Sequence, residues 1–391
     1  MGVEFTVSGA RGTGNVESGQ RKVDIREEIL LLDPDATPLT VISARLDSKP
    51  TENPEFKWFE DDRRTRRATT TTTGTGTSLT VSDGGLFNEH DVWRNTDKAE
   101  NVRVQSVNGN VVEVVRGSTP VSFESGDELL LVGSAQPEGD TSKPGISSNP
   151  VLSSNYTQIF RNPYEATRTW QQSGQYTRPN DWEHNARKAM LEHKLDKEAA
   201  FLWGVKRETT SGAQPRRETG GAYDFISTNL EDTGGGTSET EFFASFPDLF
   251  RYGSKTKFGF AGRTAVSVIT AMPRAKLEVV QADNDDTFGL NIMKYRTPLG
   301  TLNLVTHNLM SDSTSLYDKQ IVVLDMVGDG QKLVRERYLS GGGYGDSATH
   351  IRENIQENDR DGRKDEVLAE CGLEFGLEKA HGIYTDVASL A

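Results

Sequence analysis

The stretch that most limits how this chain can fold is one with no core of its own. Residues 51–67 are dense in aromatics and charge: Phe56, Trp58 and Phe59, then Asp61, Asp62, Arg63, Arg64, Arg66 and Arg67. An extended charged excursion of this length needs a neighbour to lie on. Two acids followed by four arginines are also self-complementary between copies of the chain. The bland alternative is a solvated surface loop, whose isolated ion pairs contribute little. Residues 69–78, nearly all Thr and Gly, read as an exposed turn or linker.

Residues 78–133 predict a compact β module. Val102, Val104 and Val107 run into Asn108-Gly109, and Val111, Val112, Val114 and Val115 follow. Asn-Gly between valine-rich runs is a strong hairpin signal. Four to six short strands fit a small barrel or sandwich. Residues 156–170 read as extended. Asn180-Asp181 then caps the clearest helix, from Trp182 to about Trp203, stopped by Gly204. Glu183/Arg187, Lys188/Glu192 and Lys194/Glu198 have the spacing of surface pairs. Trp182, Ala186, Ala189, Met190, Ala199 and Leu202 give this helix an apolar side. Residues 209–236 read as loop, broken by Tyr223 to Ile226. Ser238 and Glu241 form a capping box for a phenylalanine-rich helix that Pro247 shortens or kinks. Beyond it the pattern predicts a strand over 265–270, a helix from Pro273 to Val280, and a hairpin of 291–295 with 301–306. Strands over 320–326 and 332–338, a glycine hinge at 341–343 and returning strands over 349–355 and 365–384 follow.

Composition narrows the function. The net charge is −14, so a tight nucleic-acid grip is not expected. The acidity suits a subunit that must stay soluble. The single cysteine, Cys371, excludes an internal disulfide and reads as a small buried residue. No signal peptide opens the chain, and no apolar stretch approaches membrane-spanning length. The six histidines, His90, His184, His193, His307, His350 and His381, lack metal-ligand spacing and read as structural or surface groups. There is no nucleophile elbow and no Cys/His pairing. The glycines of 9–14 lack the Lys-Ser/Thr ending of a phosphate loop, and Asp283, Asp285 and Asp286 read as a solvated loop. No catalytic, cofactor or metal residues are expected. The contact candidates are Asp61, Asp62, Arg63, Arg64, Arg66 and Arg67.

Several segments then carry a family likeness. They include Asp24-Ile25-Arg26-Glu27-Glu28 with Asp33-Pro34 and Thr37-Pro38-Leu39, and Glu100-Asn101-Val102-Arg103-Val104 with the turn at Asn108. Asn155-Tyr156-Thr157-Gln158-Ile159-Phe160, Glu192-His193 with Glu198, and Ile226-Ser227-Thr228-Asn229 follow in suitable order. Together they resemble major capsid proteins with the Hong Kong ninety-seven fold, the shell fold of tailed bacteriophages and tailed archaeal viruses. The likeness implies an α+β fold with five parts. These are an N-terminal arm (1–50), an extended loop (51–160) carrying a small β-barrel insertion (about 78–135), and a peripheral domain (161–255) with a spine helix (181–204). An axial α/β domain (256–345) and C-terminal strands returning to the peripheral domain (346–391) complete it.

It further implies self-assembly into hexamers and pentamers of an icosahedral shell around double-stranded DNA, with assembly in the host cytoplasm. The chain itself is the main partner, with portal, scaffolding and decoration proteins beside it; DNA is non-specific content and no membrane is involved. Scaffolding is expected as a separate protein or none. The rival expectation is a viral tail or receptor-binding protein, which calls for fibrous repeats that the sequence lacks.

Overall fold

A computed structural model describes residues 39, 48–61, 64–139, 149–173, 181–210, 212, 214–272, 277–278, 292–313, 316–326, 328, 330, 332–340 and 349–390. Most of the 1–50 arm, the 283–286 acidic cluster and the 341–343 glycines lie outside them. The chain divides into two compact units, one being Phe59–Ser153 and the other the chain on either side of it.

The Phe59–Ser153 unit is a six-stranded sheet of β3 (Arg67–Thr69), β4 (Ser78–Thr80), β5 (Asp91–Asn95), β6 (Asn101–Asn108), β7 (Val111–Val115) and β8 (Glu128–Ser134). Its order is β3-β8-β5-β6-β7-β4. Period-two alternation turns Val102, Val104, Val112 and Val114 inward to meet Trp93, Phe123 and Leu129, all but fully buried. Phe87 stacks on Trp93 at 4.1 Å. The β6–β7 hairpin turns where expected, with Asn108 paired to Val111 and Gly109 at φ +59°. Gly84 packs against that turn, and a Cβ there would sit 1.8 Å from the Gly109 carbonyl oxygen.

The outer strands β3 and β4 also meet. Thr70 bridges Val81, the Thr71 amide donates to Thr80 at 2.8 Å, and the Ser82 amide donates to Thr69 at 2.9 Å. The sheet therefore closes on itself. The 69–78 stretch is, as read, an exposed connection, running from β3 to β4, and it is tied to the module at two points. Most of its side chains are exposed, but Thr70 is fully buried and Gly74 bridges Phe123. Threonine is β-branched and suits extended backbone, so a tract that looked like filler is stitched into the module.

The other unit holds two larger sheets. One is β1 (Ser48–Thr51), β20 (Val334–Leu339), β22 (Gly362–Phe375) and β10 (Gln158–Thr167), with β21 (Thr349–Arg352) also on β22. The helix Asp181–Trp203 packs on β10 and β22. The second sheet runs β13 (Leu230–Asp232), β23 (Gly382–Thr385), β19 (Ile321–Leu324), β15 (Thr256–Ala261), β18 (Thr301–Thr306), β17 (Ile292–Arg296) and β16 (Leu277–Glu278). Two small pairs are β11 (Arg207–Thr209) with β12 (Arg216–Glu218), and β14 (Gly236–Thr237) with β24 (Ser389–Leu390). Strands β2 (Glu55–Glu60) and β9 (Val151–Tyr156) form a two-stranded ribbon.

The β17–β18 hairpin and the Ser238–Glu241 capping box stand as read, and Pro247 starts a second short helix, Phe246–Leu249. Other readings change. The stretch 265–270 is helical, within Arg263–Ala271, despite its β-branched run. Ala265, Val268, Ile269 and Met272 bury one stripe at helical spacing, and that packing overrides local propensity. The strand lies just before it, as β15. Where a helix was expected from Pro273, Leu277–Glu278 pairs with β17 as strand; the rest of that stretch lies outside the described residues. The loop 209–236 contains strands β12 and β13 and the helical turn Ala222–Phe225. Residues 168–170, read as extended, belong to a short helix, Arg168–Gln172, capped by Thr167. The returning strands also part company: β21 and β22 share one sheet, whereas β23 joins the other.

Candidate functional site

Two kinds of residue group stand out: the charged block the sequence singled out, and a set of sealed polar clusters it did not.

The charged block is not one uniform patch. Asp61 is exposed just after β2, and Asp62 and Arg63 lie outside the described residues. Arg64 is half-buried; it pairs with the buried Asp91 at 3.1 Å and donates to the Leu86 carbonyl. Arg66 is exposed and donates to the Leu131 carbonyl at 3.1 Å, and Arg67 is exposed on β3. Arg64 thus belongs to the module's own structure, while Arg66 and Arg67 face solvent.

The long helix supplies the first sealed cluster. Its buried stripe is Ala189, His193, Lys197 and Phe201, spaced four apart, with Glu198 and Leu202 beside it. Met190, read as apolar-side, is 36% exposed. Glu198 is no surface partner of Lys194. It is fully buried, accepting from the Leu39 amide at 2.7 Å and lying 2.8 Å from His307 Nε2. Lys197 donates to Glu336 of β20 at 2.6 Å, beside the buried Cys371 of β22. Burial pushes the Cys371 thiol far up, so it stays protonated and inert. His193 Nδ1 lies 2.7 Å from Asn162 Oδ1 of β10; burial and then the Lys197 charge push its pKa down to about 4.

Asn155 clips three elements. Its amide nitrogen donates to Leu373 at 2.7 Å and Gly220 at 3.0 Å, and its oxygen accepts from the Gly220 amide at 2.8 Å. The third cluster lies at the seven-stranded sheet. Lys257 of β15 and Asp325, just past β19, are both fully buried and 3.7 Å apart. Asp325 also accepts from Ser254 Oγ and the Gly328 amide, each at 2.8 Å. His381 Nδ1 accepts the Asp325 amide at 3.1 Å, while Nε2 donates to the Gly376 carbonyl at 3.1 Å.

A Glu198–His307 pair resembles half of a catalytic relay, but both side chains are fully buried. Among the described residues no group of three His, Cys, Asp or Glu is placed to hold a metal ion. These clusters act as staples: each ties elements far apart in sequence through bonds made in a low-dielectric interior. The sequence signal was available in part, since His193 and Lys197 fall on the same stripe as Ala189 and Phe201. Polar residues on a helix read as surface groups by default.

The fold is that of a shell subunit. It aligns with the capsid protein of a native GTA particle over 97% of this chain and 98% of that one, with a TM-score of 0.50 at 9% identity. The capsid protein of the empty GTA particle aligns over 96% and 97%, again with a TM-score of 0.50, at 10% identity. The chain belongs to the SU10 major capsid protein family, whose model matches residues 6–388. It is 24% identical over 295 residues to the major capsid protein of Pseudomonas phage PaMx41, covering 70% of each chain. It is therefore a structural subunit of the icosahedral capsid of a tailed virus.

Proposed function

We propose that copies of the chain form hexamers and pentamers that tile the shell around double-stranded DNA, with portal, scaffolding and decoration proteins as further partners and assembly in the host cytoplasm. In this reading 51–160 is an extended loop that lies across a neighbouring subunit, and the closed β module is a small barrel inserted in it. The helix Asp181–Trp203 is the spine of a peripheral domain, 256–345 an axial domain, and 1–50 an arm strapping a further copy.

One observation supports this most: the β2–β9 ribbon. A two-stranded ribbon is marginal in water, yet it exposes Phe59 (74%), Val151 (67%) and Leu152 (50%). Phe56 and Asn155 of the ribbon are buried, whereas the apolar side chains exposed farther along it suit burial under another subunit. Negative-stain microscopy of the expressed chain is expected to show round shells or ring-shaped capsomers; fibres or lone globules would overturn the reading. The charged block is tested with Arg66→Glu/Arg67→Glu. Arg64 is left alone because it holds Asp91. We expect an unchanged unfolding transition and about tenfold fewer shells, each small contact being multiplied over a closed assembly. Shells at normal yield would remove the block from the interface.

A further inference from the structure

We infer that the buried Glu198, backed by His307, is a positioning residue for assembly: it seats Leu39 in the core of its own subunit and so fixes the root from which residues 1–38 reach another copy. The inference rests on the arm reading above and says where that arm begins.

Leu39 is the first described residue of the chain, and its side chain is fully buried. It shares a core cluster with Phe160 of β10, Phe201 and Leu202 of the long helix, and Phe260 and Val305 of the seven-stranded sheet. Its amide donates to Glu198 Oε1 at 2.7 Å, across 159 residues of chain. The next described stretch is β1, an outer strand whose Ser48, Lys49 and Pro50 are exposed. The chain is therefore sunk into the interior at residue 39, ahead of a strand that lies on an open edge.

The seat is built for a peptide N–H. Glu198 is fully buried, and a buried carboxylate is tolerated only with donors at its oxygens. His307 Nε2 lies 2.8 Å from the same Oε1. The Met310 amide donates to His307 Nδ1 at 3.4 Å, which leaves the proton on Nε2, facing Glu198. The ring is held in turn, since the His307 amide donates to the Ala261 carbonyl at 2.8 Å and the ring meets Phe260 edge-on. The imidazole and the Leu39 amide thus converge on one oxygen, one brought by the end of β18 and the other by the N-terminal segment.

This pairing also fixes the register. Pro38 has no amide proton to give, and Thr40 would bring a hydroxyl into an apolar cluster. Of the three consecutive residues only Leu39 supplies both the donor and the aliphatic side chain. A hydrophobic residue at 198 would pack without needing any donor. The carboxylate makes the seat conditional instead: empty, it leaves a buried charge short of a partner, so the chain is held at one residue. Contacts repeated over a closed shell add up only if every copy presents them from the same place.

The test uses the full chain. Cys371 is fully buried, so in Leu39→Cys the maleimide labelling of unassembled subunits, read by mass, reports the opening of the seat. Adding Glu198→Ala should speed labelling at least about tenfold, the factor for one hydrogen bond to a charged group. Glu198→Gln keeps an acceptor oxygen and should speed it less. Leu249→Ala, a deep change in the separate cluster of Phe242 and Val387, should leave it slow. With Leu39 restored, Glu198→Ala should lower shell yield about tenfold, Glu198→Gln less, and Leu249→Ala little. Equal labelling in all backgrounds would overturn the seat. Fast labelling with normal shells in Glu198→Ala would overturn its role in assembly, and so would an equal loss of shells in Leu249→Ala. Should the alanine variant not fold, Glu198→Gln is set against Leu249→Ala in both assays, and parity between them overturns the inference. Absence of wild-type shells would instead sink the capsid reading, and this role with it, while the labelling would still show whether Glu198 holds Leu39.

Discussion

Replacing Asp325 with alanine is expected to destabilise the unassembled subunit by about 3–5 kcal/mol, the range for breaking a buried ion pair from one side. The change leaves Lys257 fully buried beside an empty position and strips acceptors from Ser254 and the Gly328 amide. Lys257 is already strained electrostatically: burial pulls its pKa down to about 8, against the Asp325 charge that holds it up. Its remaining bonds go to the Tyr252 and Ala380 carbonyls, which cannot neutralise it. Denaturant unfolding measures the loss. Adding Lys257→Met in the same background should recover a large part of it, because the orphaned charge is then gone. If the double variant is no more stable than Asp325→Ala alone, the pair is not what Asp325 holds.

Acid should loosen the subunit before it reaches ordinary carboxylate titration. His381 is fully buried, and burial, the largest influence, drops its pKa from 6.5 to about 4; Gly376, Asp325 and Glu378 oppose this while Lys257 adds to it. The geometry agrees, since Nδ1 already accepts the Asp325 amide and cannot take a proton without facing another donor. In the unfolded chain the ring protonates near 6.5. Between there and about 4 the unfolded state binds the extra proton, so stability falls as pH falls through that window and is flat above it. His381 alone is worth roughly 3 kcal/mol across the window, and His193, flanked by Lys197, Asp196 and Glu336, adds in the same direction. Urea midpoints from pH 7 to pH 4 should slope downward in the wild type and more gently in His381→Gln. A flat wild-type profile would contradict the assignment.

Much of this architecture was legible because it is local. The valine alternation around Gly109, the Ser238–Glu241 box and the hairpin of β17 with β18 each declare themselves within a dozen residues. What escaped was set by partners far away in the chain. The 263–271 helix carries strand-like letters and is decided by the sheet it packs on. Glu198 looks like a surface residue until Leu39 and His307 are brought to it. The threonine tract looks like spacer until Val81 and Phe123 arrive beside it. For the contact candidates the sequence flags charge but not allegiance: only the fold separates Arg64, turned to Asp91, from Arg66 and Arg67, which face water.

The meeting of β3 with β4 has a bearing on crowding. A shell is made from very many copies produced together, and any sheet with a bare flank offers its amides and carbonyls to the next copy indiscriminately. At the seam between β3 and β4 the backbone is paired within the module, through Thr70, Thr71, Val81 and Ser82. Recognition there passes to side chains, which can be weak, reversible and specific to one orientation. Such contacts let misplaced subunits fall off again, and a container of fixed size depends on that capacity for correction.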